Sequence, residues 1–322
     1  MSSRMEERCR TGVSGPQARS VSTRTSHQGE LGSRAGAGAV GFTAYADAAQ
    51  LHSDTMTTFD ESGFTTFRFE RHDRVLKVII DNPASDINAV DNELHSQFAL
   101  LFERLQHERD ARAILLTGSK KAFCAGGDFT WFPTLDTTEK LDHLRRDAKA
   151  LIWDLLDIEL PIVCALNGHA MGLGASVALL CDTIFMADTA RIGDPHVRVG
   201  LVAGDGGVVI WPLAVGPAVA KRFLMTGDPV GADEALRMGL VTHVVSRAAL
   251  DNESMAFAQR LANGATMAIK YTKMSVNKLV KDALNTAFDS SMGHEMMTFF
   301  SADHKEALSA FAERRDPKFT GC

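Results

Sequence analysis

Residues 167–176 read Asn-Gly-His-Ala-Met-Gly-Leu-Gly-Ala-Ser and decide the fold class, because they join a strand to a helix. The apolar run 162–166 before them predicts a buried strand, and the pattern of residues 172–180 predicts a helix. The first N–H groups of a helix have no partner inside it and lie at the positive end of its dipole. Two such donors aimed at one oxygen form an oxyanion hole, so this stretch predicts an anion or oxyanion site.

The same glycines also resemble part of a dinucleotide-binding fingerprint. Gly172 and Gly174 supply its first two positions, but Val177 occupies the third. No acidic residue ends a following strand at the expected distance. We therefore reject nucleotide binding.

A second stretch, residues 121–129, reads Lys-Ala-Phe-Cys-Ala-Gly-Gly-Asp-Phe and follows the buried-type strand 113–117. The small residues Ala125, Gly126 and Gly127 let the backbone approach a ligand closely. Their N–H groups could then point at an anion. A plain surface turn is the alternative.

A third stretch, residues 193–207, is rich in glycine and carries the titratable groups His196 and Asp205. Burial and mutual proximity could tune both groups for acid–base chemistry. The alternative is structural: a histidine bonded to a backbone carbonyl, and an aspartate that caps the next helix.

The flanking sequence predicts an α/β protein. Alternating residues 65–71 and the β-rich run 75–80 predict a hairpin, with Asp73-Arg74 at its turn. Strand–loop–helix units then recur at intervals of about 45–50 residues, which is typical of a stacked, solenoid-like body. Beyond Asp233 helical patterns dominate, at 232–238, 250–262, 265–282 and 305–315. An α/β body followed by a helical tail is the expected architecture.

Composition excludes several classes of function. The net charge of −6 offers no basic face for nucleic acid. No apolar run approaches the ~20 residues that a membrane helix requires. The five cysteines are scattered and form no CxxC pair, so neither a metal site nor a disulfide framework is indicated. A reducing compartment, the cytoplasm, is the expected location.

The first 55 residues differ from the rest of the chain. They are rich in Ser, Thr, Arg, Gly and Ala and have few large apolar residues, so we predict a disordered N-terminal extension. A transit peptide would have a similar composition but fewer acids than Glu6, Glu7, Glu30 and Asp47. A start codon placed upstream of Met56 explains the segment better. The expected domains are a core over 56–250 and a helical region over 251–322.

Taken together, the three stretches resemble the crotonase (enoyl-CoA hydratase/isomerase) superfamily. Residues 123–128 are similar to its first oxyanion loop, residues 167–182 to its second, and residues 305–319 to its closing helix. The resemblance runs from about residue 64 to residue 319. It implies a spiral of ββα units with a C-terminal helical trimerisation region, assembled as a homotrimer or a dimer of trimers.

The resemblance also implies a site. The backbone N–H groups of Ala125 and Leu173 would form the oxyanion hole for an enolate. The substrate would be an acyl-CoA thioester, with coenzyme A as part of the substrate and no separate cofactor or metal. The substrate-binding positions would be Ala125, Gly126, Gly127, Asp128, Gly172, Gly174 and Ser176.

The chain departs from a true hydratase at two positions. Hydratases of this superfamily carry a glutamate at each of two sites, and alignment of the motifs places Ser176 and His196 there instead. Hydration needs a general base for water and an acid for the α-carbon, and a serine hydroxyl supplies neither unaided. The ordinary hydratase mechanism is therefore not expected.

His196 and Asp205 are similar to a pair in another branch, the β-diketone hydrolases typified by 6-oxocamphor hydrolase. Those enzymes cleave a carbon–carbon bond by retro-Claisen attack of water. The resemblance implies that His196 activates water, Asp205 relays a proton and Glu295 orients His196; an exposed helix residue is the alternative for Glu295. A CoA-independent C–C hydrolase is thus one hypothesis.

The loop around Leu173 keeps the form found in CoA-using members, and Lys120 and Lys121 could meet CoA phosphates. We therefore favour a CoA thioester with altered acid–base chemistry. Two further hypotheses stay open: a Ser-His-Asp hydrolase with Ser176 as nucleophile, and a non-catalytic scaffold that keeps the fold.

Overall fold

The computed structural model describes residues 59–322. The prediction for residues 1–55 lies outside the described residues. From residue 59 onward the chain forms two sheets surrounded by helices, with the apolar core between the larger sheet and the helices that cover it.

The larger sheet has six strands in the order β1-β2-β3-β5-β7-β10. Strands β1 (Phe67–His72) and β2 (Val75–Ile80) form the expected antiparallel hairpin, with Asp73 at φ 54° in its turn. The remaining neighbours pair in parallel, namely β2 with β3 (Ala113–Gly118), β5 (Ile162–Leu166), β7 (Thr183–Ala187) and β10 (His243–Val245). Strands β3 and β5 are buried along their whole length, as parallel strands covered on both faces are.

A smaller sheet of four short strands runs in the order β4-β6-β8-β9. Its members are β4 (Ala122–Cys124), β6 (His169–Met171), β8 (Arg191–Gly193) and β9 (Val230–Gly231). Each of the first three strands follows a strand of the larger sheet after a short turn. Sequence analysis did not identify this sheet, because strands of two or three residues carry no measurable periodicity. It matters because it aligns the loops that carry the predicted site.

Helices alternate with these strands and then dominate the C-terminal part. They are α1 (Asn92–Leu105), α2 (Thr138–Asp157), α3 (Leu173–Leu179), α4 (Gly207–Val215), α5 (Pro217–Thr226), α6 (Ala232–Met238), α7 (Leu250–Ala262), α8 (Thr266–Thr298) and α9 (Ala302–Glu313). The mixed α/β architecture predicted from the sequence is confirmed.

Helix α8 is longer than the predicted 265–282. It continues to Thr298 although Ser290, Ser291 and Gly293 are weak helix formers. Its second half is held by burial of Phe288, Met292 and other side chains against the core. Tertiary packing therefore overrides propensity and brings Glu295 into the interior.

Candidate active site

His196 lies in a short 3₁₀ turn directly after β8 and is fixed by Asp194 across Pro195. Its Nδ1–H donates a hydrogen bond to Oδ1 of Asp194, a carboxylate that is 1% exposed. A carboxylate at Nδ1 fixes the tautomer and the ring orientation, so Nε2 is the nitrogen left for chemistry. The structural alternative predicted for this histidine, a bond to a backbone carbonyl, is wrong.

Asp205 lies on the other edge of the same ring. Its Oδ2 is 3.6 Å from Nε2 of His196, a separation that a bridging water can close. Asp205 precedes α4, whose N-terminus has no side-chain cap. The alternative that Asp205 is a helix cap is therefore not what the structure shows.

Glu295 projects from α8 into the same cavity and is 5% exposed, so it is not an exposed helix residue. It packs on Gly204, where an added Cβ would lie 2.7 Å from Oε2 of Glu295. That oxygen has no hydrogen-bond partner within residues 59–322, and neither has Oδ1 of Asp205. Unpaired buried carboxylate oxygens are costly, so these two groups favour protonation or a bound polar ligand.

The four groups set one another's charge. Burial alone would lower the pKa of His196, but Asp194, Asp205 and Glu295 outweigh it and raise that pKa well above its ordinary value. Burial raises the pKa of Asp205 to about 6, against the pull of the His196 charge. Burial, reinforced by Asp205, raises the pKa of Glu295 to about 8. At neutral pH the site therefore holds an imidazolium between carboxylates and a protonated Glu295.

These groups open on a cavity of about 50 Å³. Most of the residues that line it are aromatic or aliphatic. The lining residues are Val90, His95, Gly127, Trp131, Phe132, Leu144, Ala148, Leu173, His196, Leu201, Asp205, Met292, Glu295 and Phe299.

The two predicted oxyanion loops meet beside His196. Gly172 has φ 52°, and an added Cβ there would lie 3.3 Å from Cε1 of His196. Gly126 has φ 81°, and its added Cβ would lie 2.8 Å from the carbonyl oxygen of Met171. Both conformations are ones that only glycine adopts readily. The loops approach this closely because both positions lack a side chain.

Only one of the two predicted donors is free. Leu173 opens α3 and lines the cavity, and its N–H is in the first turn, where no intrahelical acceptor exists. The N–H of Ala125 instead donates to the carbonyl of Ile87 at 3.2 Å. The expectation of a free Ala125 donor is therefore corrected, because the loop uses this N–H to bind the segment before α1.

Other predicted binding residues have mixed outcomes. Gly127 lines the cavity, and the Phe132 ring packs on it so closely that an added Cβ would clash at 2.1 Å. Asp128 accepts bonds from the backbone and hydroxyl of Thr130 and so stabilises its own loop. Gly174 packs on Cys124, where an added Cβ would lie 2.4 Å from the carbonyl oxygen.

Ser176 is fully buried on α3 and is not among the cavity-lining residues. Its hydroxyl has no hydrogen-bond partner in the described part of the chain, and it lies 3.7 Å from where a Cβ on Gly206 would be. A serine placed this way cannot attack a substrate in the cavity. The Ser-His-Asp hydrolase hypothesis therefore loses its nucleophile.

Sequence analysis missed two residues of the site. Asp194 was not assigned a role, although an acid two residues before a histidine, across a proline, was the available signal. His95 on α1 lines the cavity, and nothing in its local sequence marks it out.

Asp194, His196 and Asp205 could also be considered as a metal-binding set, since their ligand atoms lie within 4.8 Å of one another. The two carboxylates, however, face different nitrogens of one imidazole. Asp194 already occupies Nδ1, so an ion bound at that nitrogen would displace it. The arrangement suits proton transfer better than a cation.

The mixed α/β core brings a helix start and a His–Asp pair to one cavity, as in the active site of an enzyme. Residues 70–322 match the enoyl-CoA hydratase/isomerase family. The chain belongs to this family, within the crotonase superfamily.

Individual relatives are similar over most of their length. A probable mitochondrial enoyl-CoA hydratase of Dictyostelium discoideum is 32% identical over 256 residues, which cover 79% of this chain and 90% of that protein. The crystal structure of an enoyl-CoA hydratase/isomerase from Mycobacterium paratuberculosis has a TM-score of 0.73 at 31% identity and covers 77% of this chain and 99% of its own.

A third relative is a solved β-diketone hydrolase from the cyanobacterium Anabaena sp. PCC 7120, bound to (S)-3-oxocyclohexyl acetic acid. Its TM-score is 0.69 at 28% identity, with 73% of this chain and 94% of that chain covered. Within residues 59–322, no helix combines the length and the apolar character that crossing a membrane requires.

Proposed function

We propose that the protein uses water to cleave a β-oxoacyl thioester through an enolate. The bond that breaks joins the α-carbon to the ketone carbon. The observation that carries this proposal is the His196 imidazole, clamped by Asp194 and facing Asp205 on a cavity that also contains Glu295. This set replaces the two glutamates that hydration would need.

The backbone N–H of Leu173 would stabilise the enolate. This N–H begins α3 beside Gly172, so it can donate to the thioester oxygen as negative charge develops there. Such a donor needs no reorganisation during the reaction, because the helix already fixes its direction. A single donor of this kind typically contributes ~10²–10³ in rate.

His196 and Asp205 would activate the attacking water together. A water bound between Nε2 and Oδ2 would lose a proton to the pair and add its oxygen to the ketone carbon. Because the two groups are coupled, the pair titrates as a unit rather than as separate residues. Asp194 keeps the imidazole oriented while its charge changes.

Collapse of the adduct completes the reaction. The carbon–carbon bond breaks, its electron pair forms the thioester enolate, and the ketone carbon becomes a carboxylic acid. The enolate carbon then takes a proton from Glu295, which lines the same cavity and is protonated at neutral pH. One water is consumed, and a shorter acyl thioester is released.

Coenzyme A enters this proposal as part of the substrate and not as a cofactor. Lys121 is a candidate for its phosphates. Its side chain is 80% exposed, and its ion pair with Asp86 is long, at 3.9 Å. Lys120 is engaged with Asp81 at 3.2 Å and is the weaker candidate.

We also propose a homotrimer or a dimer of trimers. The exposed apolar side chains of α8, Met267, Tyr271 and Leu279 among them, support this proposal.

The second candidate is a CoA-independent β-diketone hydrolase with the same residues in the same roles. The similarity to the solved Anabaena β-diketone hydrolase favours it. The two candidates share the bond that breaks and differ in whether the enolate is a thioester or a ketone. Hydration of an enoyl thioester is the activity that relatives' names would suggest, and Ser176 and His196 argue against it.

The test is a turnover screen of the wild-type protein against crotonyl-CoA, acetoacetyl-CoA and cyclohexane-1,3-dione. We expect cleavage of at least one of the two dicarbonyl compounds and no appreciable hydration of crotonyl-CoA. Cleavage of acetoacetyl-CoA supports the thioester form, and cleavage of the diketone alone supports the second candidate. Efficient hydration of crotonyl-CoA with neither dicarbonyl cleaved would contradict both.

A further inference from the structure

His95 is a buried polar side chain that the chemistry above does not use. It lies in the first turn of α1, is 5% exposed, and lines the catalytic cavity. Its ring nitrogens have no hydrogen-bond partner among residues 59–322, and its nearest aromatic neighbour is Trp131, with ring centroids 5.6 Å apart. A polar ring on a cavity wall without a protein partner is available to bond to a ligand in that cavity.

The surroundings of His95 distinguish it from a structural histidine. The ring also lines an adjoining side cavity of about 390 Å³, together with Trp131 and Leu144. The charged groups of that cavity are already paired: Lys140 with Asp136 at 2.8 Å, and His143 with Asp147 at 3.5 Å. None of these ion pairs involves the His95 ring, which is therefore available to a substrate in the catalytic cavity.

We infer that His95 is a specificity-determining residue that binds an uncharged oxygen of the substrate, the ketone oxygen of a β-oxoacyl group or β-diketone. This inference deepens the proposed function and rests on it for the identity of the ketone. Burial, together with the charge of His143, lowers the pKa of His95 to about 4, so at neutral pH the ring is an uncharged donor. An uncharged N–H suits a carbonyl better than a carboxylate, which prefers a charged partner.

The placement gives each carbonyl of the substrate its own donor. The Leu173 N–H donates to the oxygen that becomes the enolate, and the His95 ring donates to the oxygen of the carbonyl that water attacks. The cavity is small, about 50 Å³, so both carbonyls of a short dicarbonyl unit would lie near its walls. A substrate without the second oxygen would leave His95 unpaired, which sites of this kind penalise strongly.

The test compares ligands that differ only in that oxygen. Binding of acetoacetyl-CoA against butanoyl-CoA, and of cyclohexane-1,3-dione against cyclohexanone, is measured by titration calorimetry on the full chain. His196→Ala is used as the background so that no ligand is consumed. For whichever pair binds, we expect the oxo compound to bind at least ~10-fold more tightly, in line with a satisfied buried hydrogen bond.

His95→Leu should abolish that preference and leave the affinity for butanoyl-CoA or cyclohexanone unchanged. His95→Gln, which keeps a donor, should retain part of it. His143→Leu is the matched control, because His143 lines only the side cavity, and it should keep the full preference. An unchanged preference in His95→Leu, an equal loss for both members of a pair, or no preference in the starting protein would each overturn the inference.

The outcome is separable from that of the proposed function. Preferential binding of the oxo compound, lost in His95→Leu, together with no cleavage of any dicarbonyl by the wild type, would support His95 and reject C–C hydrolysis. Cleavage without a His95-dependent preference would do the reverse.

Discussion

At the scale of single residues, the site is an imidazole whose charge is set by three carboxylates. A histidine in isolation titrates near 6.5, and its sequence position alone suggested a base poised near neutral pH. The structure instead holds the pKa of His196 well above that value, because Asp194, Asp205 and Glu295 all favour the imidazolium. The resting enzyme is therefore protonated at His196.

Replacing Asp194 tests this description. Asp194→Asn keeps the shape of the side chain but removes its charge, so the pKa of His196 should fall towards its ordinary value. Turnover should decrease by about 10²-fold, as expected when a general base is misoriented. Removing the Asp194 charge should lower the pKa of the coupled His196–Asp205 pair, so the rising limb of the pH–rate profile should also move to lower pH. Asp228→Asn, an exposed partner of Arg198 two residues beyond His196, is the control and should change neither property.

An unshifted pH–rate profile in Asp194→Asn would mean that Asp194 does not set the protonation of His196. A profile that moves equally in Asp228→Asn would point to a general charge effect instead.

Glu295 gives a prediction about stability. Its pKa is about 8 in the folded protein against 4.5 ordinarily, so the folded state holds a proton that the unfolded state releases between these values. The free energy of unfolding should therefore fall as pH rises from about 4.5 to about 8. Glu295→Gln cannot ionise and should flatten this fall, gaining on the order of 2 kcal/mol at pH 8–9 relative to the wild type.

Urea unfolding of both proteins across pH 5–9 measures the effect. Parallel curves for the two proteins over that range would show that Glu295 is ionised in the folded state or accessible to water.

How far the sequence predicts these residues depends on how they are brought together. His196, Asp205 and Glu295 were all predicted, and the structure brings them to one cavity, because their spacing matches a known branch of the superfamily. Asp194 was missed because its contact depends on the turn at Pro195, which has no periodic signal. Ala125 was assigned a free N–H, but the bond to Ile87 comes from a segment 38 positions earlier, which local sequence cannot reveal.

At the scale of elements, the catalytic groups depend on short loops held by the smaller sheet. Strands β4, β6 and β8 lie side by side, so the residues that follow them meet. The helix start at Leu173 and the turn at His196 come from adjacent strands of this sheet. Strands β2, β3 and β5 of the larger sheet were predicted to within a residue from their apolar runs, whereas the smaller sheet was not predicted, since its strands are too short.

Gly172 links the two elements and gives a test of the oxyanion site. Gly172→Val would force a β-branched residue into φ 52° and place its Cβ against His196. We expect turnover to fall by at least ~10²-fold, the cost of one lost oxyanion donor, with the protein still folded. Gly231→Ala is the matched control, because an added Cβ there meets nothing within 4 Å.

Steady-state kinetics and thermal unfolding of both variants separate the two effects. Near-normal turnover by Gly172→Val would exclude this loop from the oxyanion site.

Helix α8 shows why the C-terminal region could be predicted only in part. Its first half has a regular helical pattern, and Lys273 anchors it by donating to the Leu160 carbonyl at 2.8 Å and pairing with Asp182 at 2.9 Å. Its second half was not predicted, because Ser291 and Gly293 oppose a helix in isolation. Packing supplies the missing stability, and without that extension Glu295 would not reach the cavity.

At the scale of the whole molecule, the fold and the site both lie in residues 59–322, and the family match begins at residue 70. The prediction that residues 1–55 are dispensable rests on their composition alone. A protein that begins at Met56 should keep the melting temperature and the turnover of the full chain. A clear loss of either would show that the N-terminal segment contributes to the folded protein.

The central claim is that His196 and its carboxylates use water to cleave the bond between the α-carbon and the ketone carbon of a β-dicarbonyl substrate. The most direct measurement is the reaction of the preferred dicarbonyl substrate in H₂¹⁸O, with the products analysed by mass spectrometry, for the wild type, His196→Ala and Asp205→Asn. We predict one ¹⁸O atom in the new carboxylic acid of the wild-type reaction, and turnover at least ~10²-fold lower in each variant, as general acid–base catalysis implies. Wild-type rates in both variants, or an acid that carries no solvent oxygen, would contradict it.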